Sequence, residues 1–481
     1  MMSTQKAIRR DEPAGTEVLN SATSRIVENI ARTRFEDLPE KAVRATKNRV
    51  LDLIGSAIGG AGASGNAALV EVLRAQGNAP QASLIGYAGK LSAANAALAN
   101  AVSARSFDFE VMTTVVAGMV IPSHTSPTTV MTALAVAERE RRNGREFLTA
   151  LTLGDDLVAR VLGAAGFDFG NGWDAASVHS GLGAAAIAAK LMNLPALQVR
   201  DALGMVVNLI GGTIQAPWDG TTDFKLPQGM AARNGILAAE LAAAGWTGMA
   251  DALHAPWGFY RQFTSGCAKP EVLIDGLGEV YWAEEYFKPY PACAATHGSI
   301  ETALALRARP DFSLAQLRRL TLCLPKRLLT NFCIKPYEPR RFPHCDAIFS
   351  YRFQVANVLL NGITRQEHYA EERLRDPALL DLTSRIDLAP LDDPQAGGWS
   401  SAGGACVIIA EMTDGRRIEQ RLEKLSRHPA VRASTQEEIE AKFRQQLEFS
   451  GRRLDADAIM AAVRDLDRAP DLSALLALIA G

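Results

Sequence analysis

At 481 residues the chain exceeds what one hydrophobic core usually supports, so about two domains are expected. Its 51 basic and 53 acidic residues nearly cancel, which removes the electrostatic case for partners such as nucleic acid or a membrane surface. No apolar run approaches the roughly 20 residues of a membrane span, because stretches such as ALAVAERE and GAAAIAAKLMNL are broken by polar residues.

The first residues, MMSTQKAIRRDEPAGTE, are polar and carry acids, unlike a secretory signal, so the cytoplasm is the expected compartment. From about residue 20 to 270 the chain is Ala- and Leu-rich, with helix-period apolar positions. VRATKNRVLDLIGSAIGG places Val43, Val50, Leu51 and Ile54 on one stripe. SAANAALANAVSARS, TTVMTALAVAERERR, GREFLTALTLGDDLVARVLG, LGAAAIAAKLMNL, LQVRDALGMVVNLIGGT and GMAARNGILAAELAAAG read the same way. So many small residues allow close helix packing, and one all-α core is expected. GAGASG (60–65) follows no strand and lacks the acidic residue of a dinucleotide site, so it reads as a helix–helix turn. GLGAAA (181–186) reads as the start of a helix that likewise follows no strand.

Near residue 286 the pattern changes. RRLTLCLP (318–325) and SRIDLAP (384–390) are short, alternating and β-leaning, and GGACVIIAEMTDGRRIEQRLEKL (403–425) reads as a hairpin turning at Asp414-Gly415. AIFSYRFQVANVLLNG between them is helical. From STQEEIEAKF onward the chain is helical again, with a capping box expected at Ser434 to Glu437. The fold class is therefore mainly α: a large helical domain built from both chain ends (20–285 and 430–481) and a smaller α+β domain (286–429).

The stretch YFKPYPACAATHGSI (286–300) is the most informative. Two prolines hold the backbone ahead of a helix, so His297 falls near a helix N-terminus, where backbone N–H groups favour an anion. The six cysteines (267, 293, 323, 333, 345, 406) form no C-x-x-C pair, and H-x-x-x-H and D-x-D-x-D patterns are absent. Neither a metal nor a cofactor is expected.

This stretch resembles the signature of the 2-methylcitrate dehydratase and cis-aconitate decarboxylase family (MmgE/PrpD). Five further blocks match in order: RSFDFEVM (105–112), PSHTSPTTVMTALAVAE (122–138), NGWDAASVHSGLGAAAIAAKLMNL (171–194), DFKLPQGMAARNGILAAELAAAGWTG (223–248) and FSYRFQVANVLLNG (349–362). The resemblance covers about residues 25 to 475 and implies the same two-part fold, with a homodimer expected. It also implies chemistry in which a proton moves at carbon next to a carboxylate of a small di- or tricarboxylate. Such chemistry needs cations for the carboxylates and an acid or base beside the reacting carbon. Carried over residue by residue, Asp108, His124, Lys225 and His297 match the family's site. Tyr290 of the Lys-Pro-Tyr-Pro turn, with Arg340 and Arg341 in YEPRRFPHCD, would face substrate.

The departures are as informative. Arg105 and Asp174 stand where the family has histidines, Glu110-Val111-Met112 where it has D-D-T, and Pro227 where it has another histidine. Phe353 replaces a tyrosine and Ile348 a lysine. Arg105 with Lys225 would then neutralise carboxylates. His297, or Asp174 if burial raises its pKa, would take the proton. His179, five residues beyond Asp174, would lie on a different helical face. The expected activity is that of a cofactor-independent lyase of the hydro-lyase type. The alternatives are an epimerase (isomerase) or decarboxylase of a related polycarboxylate, or a non-catalytic carboxylate-binding homologue.

Overall fold

The computed structural model describes residues 21–165, 172–391 and 405–480. The Ala-rich series forms helices Glu40–Gly60, Ala93–Arg105, Ser126–Arg139, Gly144–Ala164, Ala175–Leu191, Ala196–Val206 and Leu226–Ala243. Small residues set their spacing. A Cβ added at Gly235 would lie 2.4 Å from the Cβ of Ala184, so these two helices meet backbone to backbone. The GLGAAA segment lies inside Ala175–Leu191 instead of opening it. Its glycines serve helix crossing, since a Cβ at Gly183 would fall 2.7 Å from Val158.

The chain's last helices return to this unit. Phe443 and Leu447 of Gln436–Ser450 join the same apolar core as Val50 and Ile54. Beside them Lys442 Nζ pairs with Asp52 Oδ1 at 2.6 Å, both buried. The capping box of that helix is formed by Thr435 and Glu438, one residue later than the sequence pattern suggested. The choice is set by register: only Glu438 stands three residues beyond the cap whose backbone is extended.

The helical unit also carries a small three-stranded antiparallel sheet, ordered Met119–Ile121, Met112–Val116 and Ala283–Tyr286. Its hairpin turns at Ala117-Gly118, both at positive φ (47° and 74°), the backbone of a two-residue primed turn. Alanine there hides the usual Asn-Gly signal.

The smaller unit is α+β. Its sheet is ordered Ile386–Pro390, Leu317–Leu324, Cys406–Met412 and Arg417–Leu422, with the first pair parallel and the others antiparallel. Glu411 pairs with Arg417 across the expected Asp414-Gly415 turn, where Gly415 takes φ 87°. Helices His297–Arg307 and Tyr351–Asn361 pack with this sheet in a second apolar core. That core also takes in Phe107, Phe109 and Phe224 from the helical unit, so the two units share a wall. Among the described residues, no helix is long and apolar enough to cross a membrane.

Candidate active site

A cavity of about 500 Å³ lies where the two units meet. The helix Ala93–Arg105 ends at its wall, and the chain then turns through Asp108 at φ 49°, a left-handed conformation that Asp tolerates better than most residues. The turn folds three charged side chains together. Arg105 Nη1 donates to Asp108 Oδ1 and lies 3.3 Å from Glu110 Oε1. Lys288, the first residue of the Lys-Pro-Tyr-Pro turn, donates from Nζ to Asp108 Oδ1 and to the Asp108 carbonyl, each at 2.7 Å. It arrives there because Met112 pairs with Tyr286 in the three-stranded sheet.

His124 completes the cluster, with Nδ1 2.6 Å from Glu110 Oε1. The loop that carries it is clamped from both sides by buried Glu284, which pairs with Thr114 across the sheet. Glu284 accepts from Ser123 Oγ (2.8 Å), Thr125 N (2.7 Å), Ser126 N (2.9 Å) and Ser126 Oγ (2.5 Å). Further back, Asp52 Oδ2 accepts from Val111 N at 2.7 Å, tying the Glu110 segment to the Lys442 pair.

The electrostatics follow from burial and neighbours. Burial opposes ionisation of Glu110, yet Arg105, Lys288 and His124 outweigh it and hold its carboxyl well below the usual range. An ionised Glu110 requires a proton on the facing Nδ1 of His124, which leaves the lone pair on Nε2. Burial, then Arg105 and Lys288, push the His124 pKa down, so the ring is neutral near pH 7. Asp174 caps Ala175–Leu191, accepting from Ala176 N at 3.1 Å. Burial raises its carboxyl to about 6 despite Arg105 and the capping amides. Arg105, Asp108, His124 and Asp174 all line the cavity.

Behind this wall Asp108 Oδ2, Glu110 Oε2 and Arg105 Nε are buried without hydrogen-bond partners. Unpaired buried polar atoms cost stability, and they concentrate where a ligand completes the set. Ligand atoms of Asp108, Glu110 and His124 lie within 4.8 Å of one another, close enough to consider a metal ion. Arg105 and Lys288 already offset the two carboxylates, which weakens their pull on a cation.

Other candidate residues lie off the lining. His297 opens its helix as expected but is fully buried, its Nδ1 2.7 Å from the Tyr286 hydroxyl and its Nε2 3.1 Å from the Ala292 carbonyl. Burial, then Lys288, drive its pKa well below the usual histidine value. Tyr290 stands edge-on to that ring at 5.4 Å. Lys225 donates to the Ser64 carbonyl (2.9 Å) and to Asn66 Oδ1 (2.6 Å), closing the 60–66 turn, with burial lowering it to about 7. Arg340 pairs with Asp346 at 2.5 Å, and Arg341 is exposed. Phe353 is buried, stacked on Tyr369 at 5.6 Å. His179 does line the cavity with Asp174. The helical-face argument fails because Asp174 is the N-cap, outside the helical spacing rule.

Sequence reasoning passed over Glu110, Lys288 and Glu284. Lys288 carried a usable signal, as the charged residue that opens the proline turn. Glu110 stood in the block as a mere departure, and Glu284 had no local signal at all.

The fold agrees with the comparisons to known proteins. Residues 24–271 match the MmgE/PrpD N-terminal domain and residues 290–468 the MmgE/PrpD C-terminal domain, so the chain belongs to the MmgE/PrpD family. It is 27% identical over 390 residues to the cis-aconitate decarboxylase-like protein oryM of Aspergillus oryzae, covering 75% of this chain and 78% of that protein. It is 24% identical over 435 residues to a cis-aconitate decarboxylase of Aspergillus terreus, covering 86% and 87%.

Proposed function

We propose that this protein is a lyase that removes a proton from carbon next to a carboxylate of a small di- or tricarboxylate and expels water. The observation that carries this reading is His124 on the cavity wall, a neutral imidazole oriented from behind by the ionised carboxylate of buried Glu110. In this reading Arg105 anchors a substrate carboxylate. His124 Nε2 takes the proton as the C–H bond breaks and an alkene forms. Asp174, protonated in part near neutral pH, gives its proton to the departing hydroxyl, which leaves as water. Asp174 thus supplies a leaving-group acid in place of the lost family histidines and tyrosine. Membership of the MmgE/PrpD family and the names of the two relatives support chemistry on a polycarboxylate.

A second reading, epimerisation, is supported by the presence of two titratable groups, His124 and Asp174, on one cavity. Proton NMR in D₂O with citrate, 2-methylcitrate, 2-butylcitrate, cis-aconitate and iminodisuccinate separates them. New vinyl signals from a hydroxyacid are the expected result. Loss of an alpha-proton signal without vinyl signals selects the epimerase, and carbon dioxide release from cis-aconitate selects a decarboxylase. Silence across the panel sinks the catalytic reading.

A further inference from the structure

The cavity has one charged end and a long aromatic wall. Arg105 Cζ lies 5.6 Å over the Phe224 ring. From there the rings follow one another: Phe224 to Phe349 at 5.4 Å, Phe349 to Phe332 at 5.2 Å, and Phe332 to Trp218 at 6.2 Å. All four rings line the cavity, and the outer two are half-buried, so the wall runs from the Arg105 end towards solvent. Ile214 and Leu328 add further apolar surface.

A compact tricarboxylate fits this surface poorly. On the lining, Arg105 is already engaged by Asp108 and Glu110, and Arg327 is the other basic side chain besides histidine. Carboxylates laid against the rings of Phe349, Phe332 and Trp218 would lose hydration to apolar surface. An alkyl or aryl group there would instead be removed from water against rings. A volume of about 500 Å³ lies within the range of roughly 300–1,000 Å³ typical of sites for larger organic ligands.

The geometry points to a substrate with its carboxylates gathered at the Arg105 end and an apolar substituent, longer than a methyl group, lying along Phe224, Phe349, Phe332 and Trp218. This assignment rests on the carboxylate reading above and narrows it to alkyl- or aryl-substituted polycarboxylates. It concerns binding, so its test needs no turnover and stays separate from the NMR experiment.

The test is titration calorimetry of the full chain with succinate, 2-methylsuccinate, 2-butylsuccinate, 2-octylsuccinate and the tricarboxylate tricarballylate. Affinity is expected to rise roughly fourfold per added methylene over the first several carbons, with tricarballylate weaker than 2-butylsuccinate. Affinity that is flat or falls with chain length, or tricarballylate binding tightest, overturns the assignment. No binding of any of the five probes overturns it together with the carboxylate reading. Phe332→Ser and Trp218→Ala alter half-buried positions and are expected to flatten the dependence on chain length. A full slope retained in both variants would remove the aromatic wall from the assignment.

Discussion

Two buried arginines of the helical unit make a useful contrast. Arg160 is fully buried and saturated: its Nε donates to Asp156 at 2.6 Å, and its other nitrogens reach the carbonyls of Asp275 and Val280 at 2.8 Å. Its guanidinium also lies 4.4 Å over the Trp282 ring. Arg105 is equally well enclosed, but its Nε lacks a partner, as do oxygens of the two carboxylates beside it, and the group faces a cavity. The first arrangement is closed and holds the 272–282 loop to the Gly144–Ala164 helix. The second is left incomplete at an open face. Burial of charge therefore does not distinguish the two; in this pair the unfilled hydrogen-bonding positions lie beside the cavity.

The contrast can be broken experimentally. His124→Ala is expected to lower kcat per folded molecule by roughly 10²–10⁴-fold, because it removes the proton acceptor. Near-normal deuterium incorporation in that variant would end the assignment of His124 as base. Arg160→Met should act in the opposite sense. Stranding buried Asp156 is expected to cost about 3–5 kcal/mol in chemical denaturation, and kcat per folded molecule should be retained.

Asp174→Asn tests the site for a trade of stability against activity. The carboxyl is raised from 3.8 to about 6 in the folded state, so the native protein holds this proton more tightly than the unfolded chain. Its contribution to stability therefore falls as pH rises from about 4 to 6 and stays low above that. Asparagine can still cap the helix, so the variant is expected to be more stable than the parent at pH 8, by on the order of 2 kcal/mol, with little difference at pH 4. The same change should remove an alkaline limb near pH 6 from the kcat/KM profile. Arg105→Lys is expected to raise KM about tenfold, since a lysine cannot present the planar fork. The smallest effect belongs to Arg341→Ala, which should leave kcat and KM within about twofold. A large loss there would move the site towards the 337–346 segment.

Legibility from the sequence varied with the range of the interaction. Helices from Glu40 to Ala243 and the Asp414-Gly415 hairpin were readable because period and turn chemistry are local. The short strand Met112–Val116 was not, since its turn uses Ala117 at positive φ. Arg105, Asp108, His124 and Asp174 could be nominated from motif positions, and all four line the cavity. Lys225 and His297 were nominated on equal grounds, yet their polar atoms are spent on Ser64, Asn66, Tyr286 and Ala292.

By itself, then, the sequence determined the family, the mainly helical architecture and several of the residues that line the cavity, because these reside in local periodicity and in blocks of contiguous residues. Only the tertiary structure decided which charges meet. Lys288 reaches Asp108 across 180 residues of chain, and Glu284 reaches the His124 loop across about 160, through the pairing of Met112–Val116 with Ala283–Tyr286. That pairing is a property of three-dimensional packing and leaves no local trace, and the protonation of His124, Glu110 and Asp174 depends on it through burial and neighbouring charge.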